Sequence, residues 1–401
     1  MVVTTVPSGR PELSVALLGA AAFFGGAALR ICDALLPRLA RDFTVTPGAA
    51  GQAIIGFAVA YGLMQLVFGP LGDRYGKARL MCVALFGCAA GSIACALTTS
   101  FGLLIATRIA WGMAAAGIIP LAMAWIGDHV PYEQRQATLA RLLTGILSGM
   151  MAGQLAGGLF ADSQFGWRGA FLSLTVGYVV VGALMFARIR SAPLAPATKT
   201  GGGPAFVSQL LSVLRIRWTR VVLAGGMAEG IFLLGPISYL PALLHQQHAI
   251  SLTTASALIA LYALGGLAYA LSARHIVRRF GERKMALAGG VLMGAGFLGW
   301  WLLPFWQLAG PIALLVGFGT YLYHNTLQTH ATQMAPTMRG TAVALFAFFL
   351  FVGQAIGVWL AGLTFDHLGA TPLLLVPALA LPVAGASFAS ALKRRADATG
   401  S

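Results

Sequence analysis

Four ionisable side chains lie within long apolar stretches of the sequence, where a charge is costly unless it serves a function. They are Arg30, Asp33, Arg108 and Glu229. A charge at the centre of a membrane helix costs about 2.5–3.5 kcal/mol on insertion scales. Arg30 and Asp33 would share one helix face, and Arg108 lies at a similar depth in its own stretch. We therefore expect an Arg30–Asp33–Arg108 cluster; the alternative is a static ion pair that only orders this part of the chain.

Glu229 is the other candidate for proton chemistry. Its own stretch offers no cation, and loss of water favours the neutral form of a carboxyl group. Glu229 could therefore bind and release a proton near neutral pH, or it could pair with Arg30 or Arg108 in one conformation. We predict Asp33 and Glu229 as proton-coupling residues, with the two arginines as their partners.

The rest of the chain supplies the helices that would hold these groups. Of its 401 residues, 58% are apolar and only 9% are charged, whereas a soluble domain carries about 25% charged residues. A soluble protein cannot hide that much apolar surface, so a large soluble enzyme is excluded. A membrane helix needs about 20 mainly apolar residues, and twelve such stretches fit between residues 13 and 391.

Charge is distributed unevenly over the loops between these stretches. The formal net charge is +15. With twelve helices, 21 Lys and Arg residues fall on the side of the N-terminus, and only Arg38, Arg41 and Arg168 fall on the other. The positive-inside rule therefore predicts a multi-pass protein of the bacterial inner membrane with both termini in the cytoplasm. The basic loops would face the anionic lipid of the bilayer, not nucleic acid.

The sequence repeats itself at an offset of about 200 to 205 residues. Matching positions include Gly153 and Gly353, Gln154 and Gln354, Pro37 and Pro241, and Gly76 and Gly281. The repeat predicts two six-helix bundles, residues 1–190 and 220–401, with a substrate site between them. Residues 191–219 would form a cytoplasmic linker, with glycines at 201–203 and a short interfacial helix in its second part.

The loop between the second and third stretches reads Gly69-Pro70-Leu71-Gly72-Asp73-Arg74-Tyr75-Gly76-Lys77-Ala78-Arg79. It resembles the signature loop of the major facilitator superfamily. The resemblance implies an all-α membrane protein with twelve transmembrane helices in two pseudo-symmetric six-helix bundles. It also implies a gating role for this loop, in which Asp73 is held by the start of the eleventh helix and a nearby arginine. The loop residues concerned are Gly69, Asp73, Arg74, Gly76 and Arg79.

Two further motifs narrow the resemblance. Arg108, Trp111 and Gly112 resemble the buried-arginine motif of the family, with Trp where Gln is more usual. A glycine-rich run in the fifth stretch resembles the motif of twelve-helix drug:proton antiporters, which have Pro at the position of Gln154. Because small residues also let helices approach closely in lipid, helix packing is the other interpretation. The run comprises Gly149, Gly153, Gln154, Gly157 and Gly158.

Polar and aromatic residues within the stretches are candidates for the wall of a substrate cavity. The tenth stretch is the richest in them, although a histidine such as His324 is more often a packing residue than a proton relay. The candidates are Tyr61, Gln65, Trp111, Phe232, Tyr239, Tyr321, His324, Asn325 and Gln354.

Two functions fit these features. The first is a proton-coupled exporter (antiporter) of small amphipathic or drug-like molecules that works by alternating access. The second is a proton-coupled importer of a small organic anion or metabolite, which Arg30 and Arg108 would attract. The sequence has no phosphate loop, metal-ligand spacing or nucleophile paired with a base, so we expect no enzyme activity, metal or cofactor. The resemblance implies a monomer whose partners are protons and one small-molecule substrate.

Overall fold

The computed structural model of the protein describes residues 13–190 and 204–399. Within these residues the regular structure is helical, with no β-strand. Ten helices there are long and apolar enough to cross a membrane. They are Val15–Phe43, Pro47–Tyr75, Lys77–Ala96, Phe101–His129, Tyr132–Asp162, Gly166–Ile189, Arg217–His248, Leu252–Trp301, Pro336–His367 and Ala370–Ala398.

Two features of the described residues raise this number from ten to twelve. Leu252–Trp301 is 50 residues long but turns at Gly281, where φ is 69° and ψ is 164°, so it forms the eighth and ninth helices. Ala309–Gln333 has 25 residues, and at 1.5 Å per residue it is longer than the roughly 30 Å core of a bilayer. It is absent from the ten because its second half is rich in polar side chains. It is the tenth helix, and the all-α fold class that the sequence predicts is confirmed.

The segment between the sixth and seventh helices is described only in part. Residues 191–203, including the predicted glycine linker 201–203, lie outside the described residues. Pro204–Arg215 forms a helix where the interfacial helix is predicted, and it packs against the seventh and eleventh helices. Its place at the membrane surface and the bundle limits 1–190, 191–219 and 220–401 stay predictions.

The first and seventh helices are both interrupted. The first consists of Val15–Arg30, a 3₁₀ turn at Asp33–Leu35, and Leu36–Phe43. The seventh consists of Arg217–Glu229, a π-helical segment Gly230–Leu234, Gly235–Ile237 and Leu240–His248. Such irregular turns often mark functional sites in helices. Asp33 begins one interruption, and Glu229 immediately precedes the other.

The backbone repeats as the sequence does. In the described residues, positive φ angles occur at three pairs of positions that lie 203 to 205 residues apart. Thr44 and Ala249 follow the ends of the two interrupted helices, and Gly76 and Gly281 lie in turns between two helices. Gly166 begins the last helix of the first half, and Gly369 lies in the loop just before the last helix of the second half.

Glycines let the fifth helix lie directly on the backbone of the first. A Cβ atom at Gly149, Gly153 or Gly157 would overlap the main-chain carbonyl of Phe23, Ala27 or Ile31, respectively. The eleventh helix packs on the seventh in the same way, because Gly353 and Gly357 lie against the carbonyls of Met227 and Ile231. Lipid provides little hydrophobic force between helices, so such close packing is what holds them together.

An aspartate joins the two halves at the distal face, which is the face opposite the start of the first helix and the end of the twelfth. Asp366, near the end of the eleventh helix, caps the start of the second helix. Its Oδ1 accepts a hydrogen bond from the Gly48 N–H (2.9 Å), and its Oδ2 accepts one from the Thr46 hydroxyl (2.5 Å). The Tyr239 hydroxyl donates to the Gly48 carbonyl beside it (3.2 Å).

A second aspartate, in the first half, makes the corresponding contact with the second half. Asp162, the last residue of the fifth helix, caps the eighth helix: its Oδ2 accepts hydrogen bonds from the N–H and the hydroxyl of Thr253, both at 2.7 Å. A carboxylate is stabilised at a helix N-terminus by the helix dipole. Asp162 and Asp366 occupy matching places in the repeat, and together they close the distal face.

Removing both caps should open the distal face. Each lost cap costs about 1 kcal/mol, so Asp162→Ala with Asp366→Ala should raise the open fraction about 30-fold. The reporter is a cysteine replacing Ser256, which is fully buried between the fifth and eighth helices. Its labelling by a thiol reagent should accelerate accordingly, while the buried native cysteines stay slow.

The matched control for this experiment is Asp42→Ala. Asp42 lies near the same face, but it binds Arg38 and Trp167 of its own half. It should leave the labelling rate unchanged. If the double variant labels no faster than this control, the two caps do not hold the face closed.

Candidate functional site

Arg30 and Asp33 form a buried ion pair at the interruption of the first helix. Arg30 Nη1 lies 3.1 Å from Asp33 Oδ2, and the side chains are 7% and 2% exposed. Arg30 is the last residue of Val15–Arg30, and the 3₁₀ turn that follows places Asp33 beside it. The Arg30 guanidinium also lies 5.8 Å from the ring centre of Tyr262 on the eighth helix. The pair is therefore in contact with both halves of the chain.

This ion pair lines a small cavity between the two halves. Most of the wall is apolar, and its polar exceptions are the ion pair itself, Gln154 and Tyr262. The lining residues are Arg30, Asp33, Met150, Met151, Gln154, Ile237, Ile259, Ala260, Tyr262 and Ala263. Two predicted proton-coupling residues, Arg30 and Asp33, are among them, and so is Gln154 of the predicted helix-packing motif, but none of the nine predicted cavity residues is. The two methionines and Tyr262 were missed, because the sequence does not show which side of an apolar helix faces a cavity.

Glu229 and His324 form the second buried pair. Both carboxylate oxygens of Glu229 lie close to His324 Nδ1, at 2.9 and 3.0 Å. Glu229 is 2% exposed and His324 is 19% exposed. An imidazole N–H at Nδ1 donates to the carboxylate, so the two residues can hold or share one proton. Tyr321 and Phe346 flank the imidazole ring.

The partner of Glu229 differs from the sequence-based expectation. The sequence predicts that Glu229 stands alone or pairs with Arg30 or Arg108, and that His324 belongs to the cavity wall without a role as a proton relay. The seventh and tenth helices pack side by side, and this contact between residues 95 positions apart has no signal in the sequence.

Arg108 is not joined to the Arg30–Asp33 pair by any ion pair within 4 Å in the described part of the chain. Its guanidinium lies over the rings of Phe57 (4.2 Å) and Trp111 (4.8 Å). Its Nε donates to the Ala53 carbonyl (3.1 Å), and its side chain is almost fully buried. Cation–π contacts therefore stabilise the charge of Arg108, and its membership of the three-residue cluster stays a prediction.

The remaining predicted cavity residues lie elsewhere in the core. Tyr61 stacks on Phe57 and lies 4.5 Å from the ring of Phe351 on the eleventh helix. Trp111 packs among aromatic rings, and Tyr239 binds the distal face. Gln65 and Gln354 are buried, whereas Phe232, Tyr321 and Asn325 are partly exposed.

The predicted gating loop forms a tight turn between the second and third helices. Gly76 has a φ of 91°, which favours glycine. Asp73 Oδ1 lies 3.2 Å from Lys77 Nζ, and Lys77 also binds Asp128 at the end of the fourth helix. Lys77, which the resemblance did not name, is thus a partner of Asp73, and the partners that the resemblance implied stay a prediction. Gly69 and Arg74 are exposed, and Arg79 is half-buried.

Comparison with known families adds a direct match. The model of the Major Facilitator Superfamily matches residues 18–358 and 238–399. Two relatives are a chloramphenicol resistance protein of Streptomyces lividans (26% identical, 83% of this chain and 84% of the relative) and an MFS-type efflux pump of Mycolicibacterium smegmatis (26%, 96% and 95%). A third is the 4-hydroxybenzoate transporter PcaK of Pseudomonas aeruginosa (26%, 90% and 87%).

Solved structures show the same fold. The chain is similar to a bacterial homologue of the human lysosomal transporter Spinster in an inward-facing, unoccupied conformation, with a TM-score of 0.68 and 17% identity over 94% of this chain and 93% of that one. It is also similar to the human organic anion transporter MFSD10, with a TM-score of 0.71 and 18% identity over 94% and 98%.

Loss of His324 alone should destabilise the protein more than loss of both members of the pair. His324→Ala leaves the Glu229 carboxylate buried without a partner, and breaking a buried pair in this way costs about 3 kcal/mol. The thermal unfolding midpoint of purified His324→Ala should therefore lie below the midpoints of wild type and of the double variant His324→Ala, Glu229→Gln.

The double variant is the control, because it has no buried carboxylate at this position. A midpoint of His324→Ala equal to that of the double variant would show that the pair does not balance a buried charge.

Proposed function

Since this chain belongs to the Major Facilitator Superfamily of membrane transporters and is not an enzyme, we propose that it is a proton-coupled exporter of small, mainly neutral amphipathic molecules. It would work by alternating access from the bacterial inner membrane, as a monomer with both termini in the cytoplasm. The excess of Lys and Arg on the terminal side supports this orientation. In it, the aspartate caps close the side that faces away from the cytoplasm.

The observation that carries the choice of substrate is the ion pair in the central cavity. Arg30 is already bound by Asp33, and Arg108 is enclosed by aromatic rings. Arg108 is not among the residues that line this cavity, an anion would have to displace Asp33 from Arg30, and most of the remaining wall is apolar. A neutral amphipathic molecule suits this wall better than an anion does. Two of the relatives are an efflux pump and a drug resistance protein, which also supports export.

The two carboxylate pairs support the coupling to protons. A proton on Asp33 would weaken its bond to Arg30 and leave a positive charge in the cavity. A proton added to the Glu229–His324 pair would raise the net charge of the pair by one unit. Each event changes the charge next to a helix interruption, where the helix can bend. We assign the turn formed by Gly69, Asp73, Arg74, Gly76 and Arg79 to gating at the cytoplasmic face.

The alternative, a proton-coupled importer of a small organic anion, is supported by the relative that transports 4-hydroxybenzoate. It requires the Arg30–Asp33 pair to separate before the anion binds. The two functions predict opposite effects of an inward proton gradient on the amount of substrate in the cell.

Export can be tested in cells that lack their own pumps, with chloramphenicol and 4-hydroxybenzoate as probes. The protein should lower the chloramphenicol content several-fold, and an uncoupler should abolish this effect. Asp33→Asn or Glu229→Gln should reduce the rate of proton-coupled export about 10-fold or more. A side chain that transfers a proton usually accelerates its reaction by at least this factor. Asp42→Asn, which changes a carboxylate outside the cavity, should export as wild type.

Each other outcome has a definite meaning. Uncoupler-sensitive accumulation of 4-hydroxybenzoate, with no effect on chloramphenicol, would replace the exporter by the importer. Full pH-driven transport by both Asp33→Asn and Glu229→Gln would remove these two residues from the coupling mechanism.

A further inference from the structure

Arg30 is one of two buried arginines in the described residues, and it lies close to both a carboxylate and an aromatic ring. Its Nη1 is 3.1 Å from Asp33 Oδ2 in the first half of the chain. Its guanidinium carbon is 5.8 Å from the centre of the Tyr262 ring, which belongs to the eighth helix in the second half. All three residues line the central cavity. Arg30 therefore has a neighbour for its charge in each half of the protein.

The other buried arginine shows how a ring can hold a guanidinium that has no carboxylate. Arg108 is 1% exposed, and no ion pair within 4 Å joins it to a carboxylate in the part of the chain that the structure describes. Its guanidinium carbon lies 4.2 Å from the centre of the Phe57 ring. A cation is attracted to the face of a ring, most strongly where both have lost their water. Arg30, which is bound by Asp33, stays farther from its ring than this.

A neutral Asp33 would leave Arg30 as a buried cation without a balancing charge, which is costly. The other buried carboxylate of the described residues, Glu229, is already bound by His324 (2.9 Å). Tyr262 is the ring that the guanidinium already faces. Because Arg30 ends the helix Val15–Arg30 and has a long side chain, its guanidinium can approach this ring without the movement of a helix.

Further titratable or charged groups surround these three residues. Arg108 has its own rings and Glu229 its own histidine, and neither is changed in the experiment below. The groups that interact electrostatically with Arg30, Asp33 or Tyr262 are Cys32, Arg108, Glu229, Tyr239 and Tyr321.

We propose that Tyr262 is a positioning residue that binds the guanidinium of Arg30 when Asp33 becomes neutral. Arg30 then leaves its partner in the first half and lies against a ring of the second half. The inference rests on the proposed function, because it supposes that Asp33 binds a proton during transport. It gives this proton a structural consequence, since the neutralisation of one carboxylate strengthens a contact between the two halves at the cavity.

A double-mutant cycle on the thermal unfolding midpoint of the purified full chain tests this inference. Asp33→Asn imitates the neutral acid, and Tyr262→Leu removes the ring. In the Asp33→Asn protein, Tyr262→Leu should lower the midpoint by about 2 °C or more beyond its effect in wild type. Tyr262→Phe keeps the ring, so it should cause no such additional loss.

Two controls isolate the contact between the cation and the ring. Tyr269 lies two turns further along the same helix, is 2% exposed, and packs against Phe318. Tyr269→Leu should therefore lower the midpoint equally with and without Asp33→Asn. In a protein with both Arg30→Met and Asp33→Asn no guanidinium remains, and the additional loss from Tyr262→Leu should disappear.

Equal losses for Tyr262→Leu in wild type and in Asp33→Asn would overturn the inference, and so would an additional loss that Tyr262→Phe shares. If Asp33→Asn does not fold, Asp33→Ser takes its place, since its smaller neutral side chain leaves Arg30 more room. The cycle uses no substrate and no gradient. If the additional loss is present but Asp33→Asn keeps full proton-coupled export, Asp33 is not the proton carrier, and the contact of Arg30 with Tyr262 stands.

Discussion

A charged side chain is stable inside this protein only where another group replaces the water that it has lost. Arg30 and Asp33 satisfy each other, Glu229 is bound by His324, and Arg108 lies against aromatic rings. These arrangements respond differently to protons. A carboxylate or an imidazole changes its charge when it binds a proton, whereas a guanidinium does not. The two carboxylate pairs can therefore act as switches, while Arg108 stays a fixed part of the first half.

The position of these pairs connects them to movement. Each lies at an interruption of a helix, the first or the seventh, that packs through glycines on the fifth or the eleventh helix. The fifth and eleventh helices also carry Asp162 and Asp366, whose carboxylates cap helices of the opposite half. The residues whose charge would change therefore lie beside the fifth and eleventh helices, which reach the closed distal face. Alternating access requires such a link between the site and the closed face.

Much of the fold could be predicted from the sequence, because helix length, apolar composition and the repeat are properties of single segments. The facing of the helices could not be predicted. A helix surrounded by lipid on one side and by other helices on the other is apolar all round, so it has no polar stripe that marks its inner side. For this reason the pairing of Glu229 with His324, the aromatic surroundings of Arg108 and the place of Tyr262 in the cavity wall emerged only from the structure.

In the proposed mechanism, substrate and protons cross the membrane in opposite directions. Proteoliposomes that contain the purified protein and a trapped pH indicator test it directly, with chloramphenicol added outside and no initial pH gradient. Entry of chloramphenicol down its gradient should drive protons out and raise the internal pH, and this change should be absent from liposomes with Asp33→Asn, Glu229→Gln protein. A fall of the internal pH, or chloramphenicol entry without any proton movement, would contradict the account.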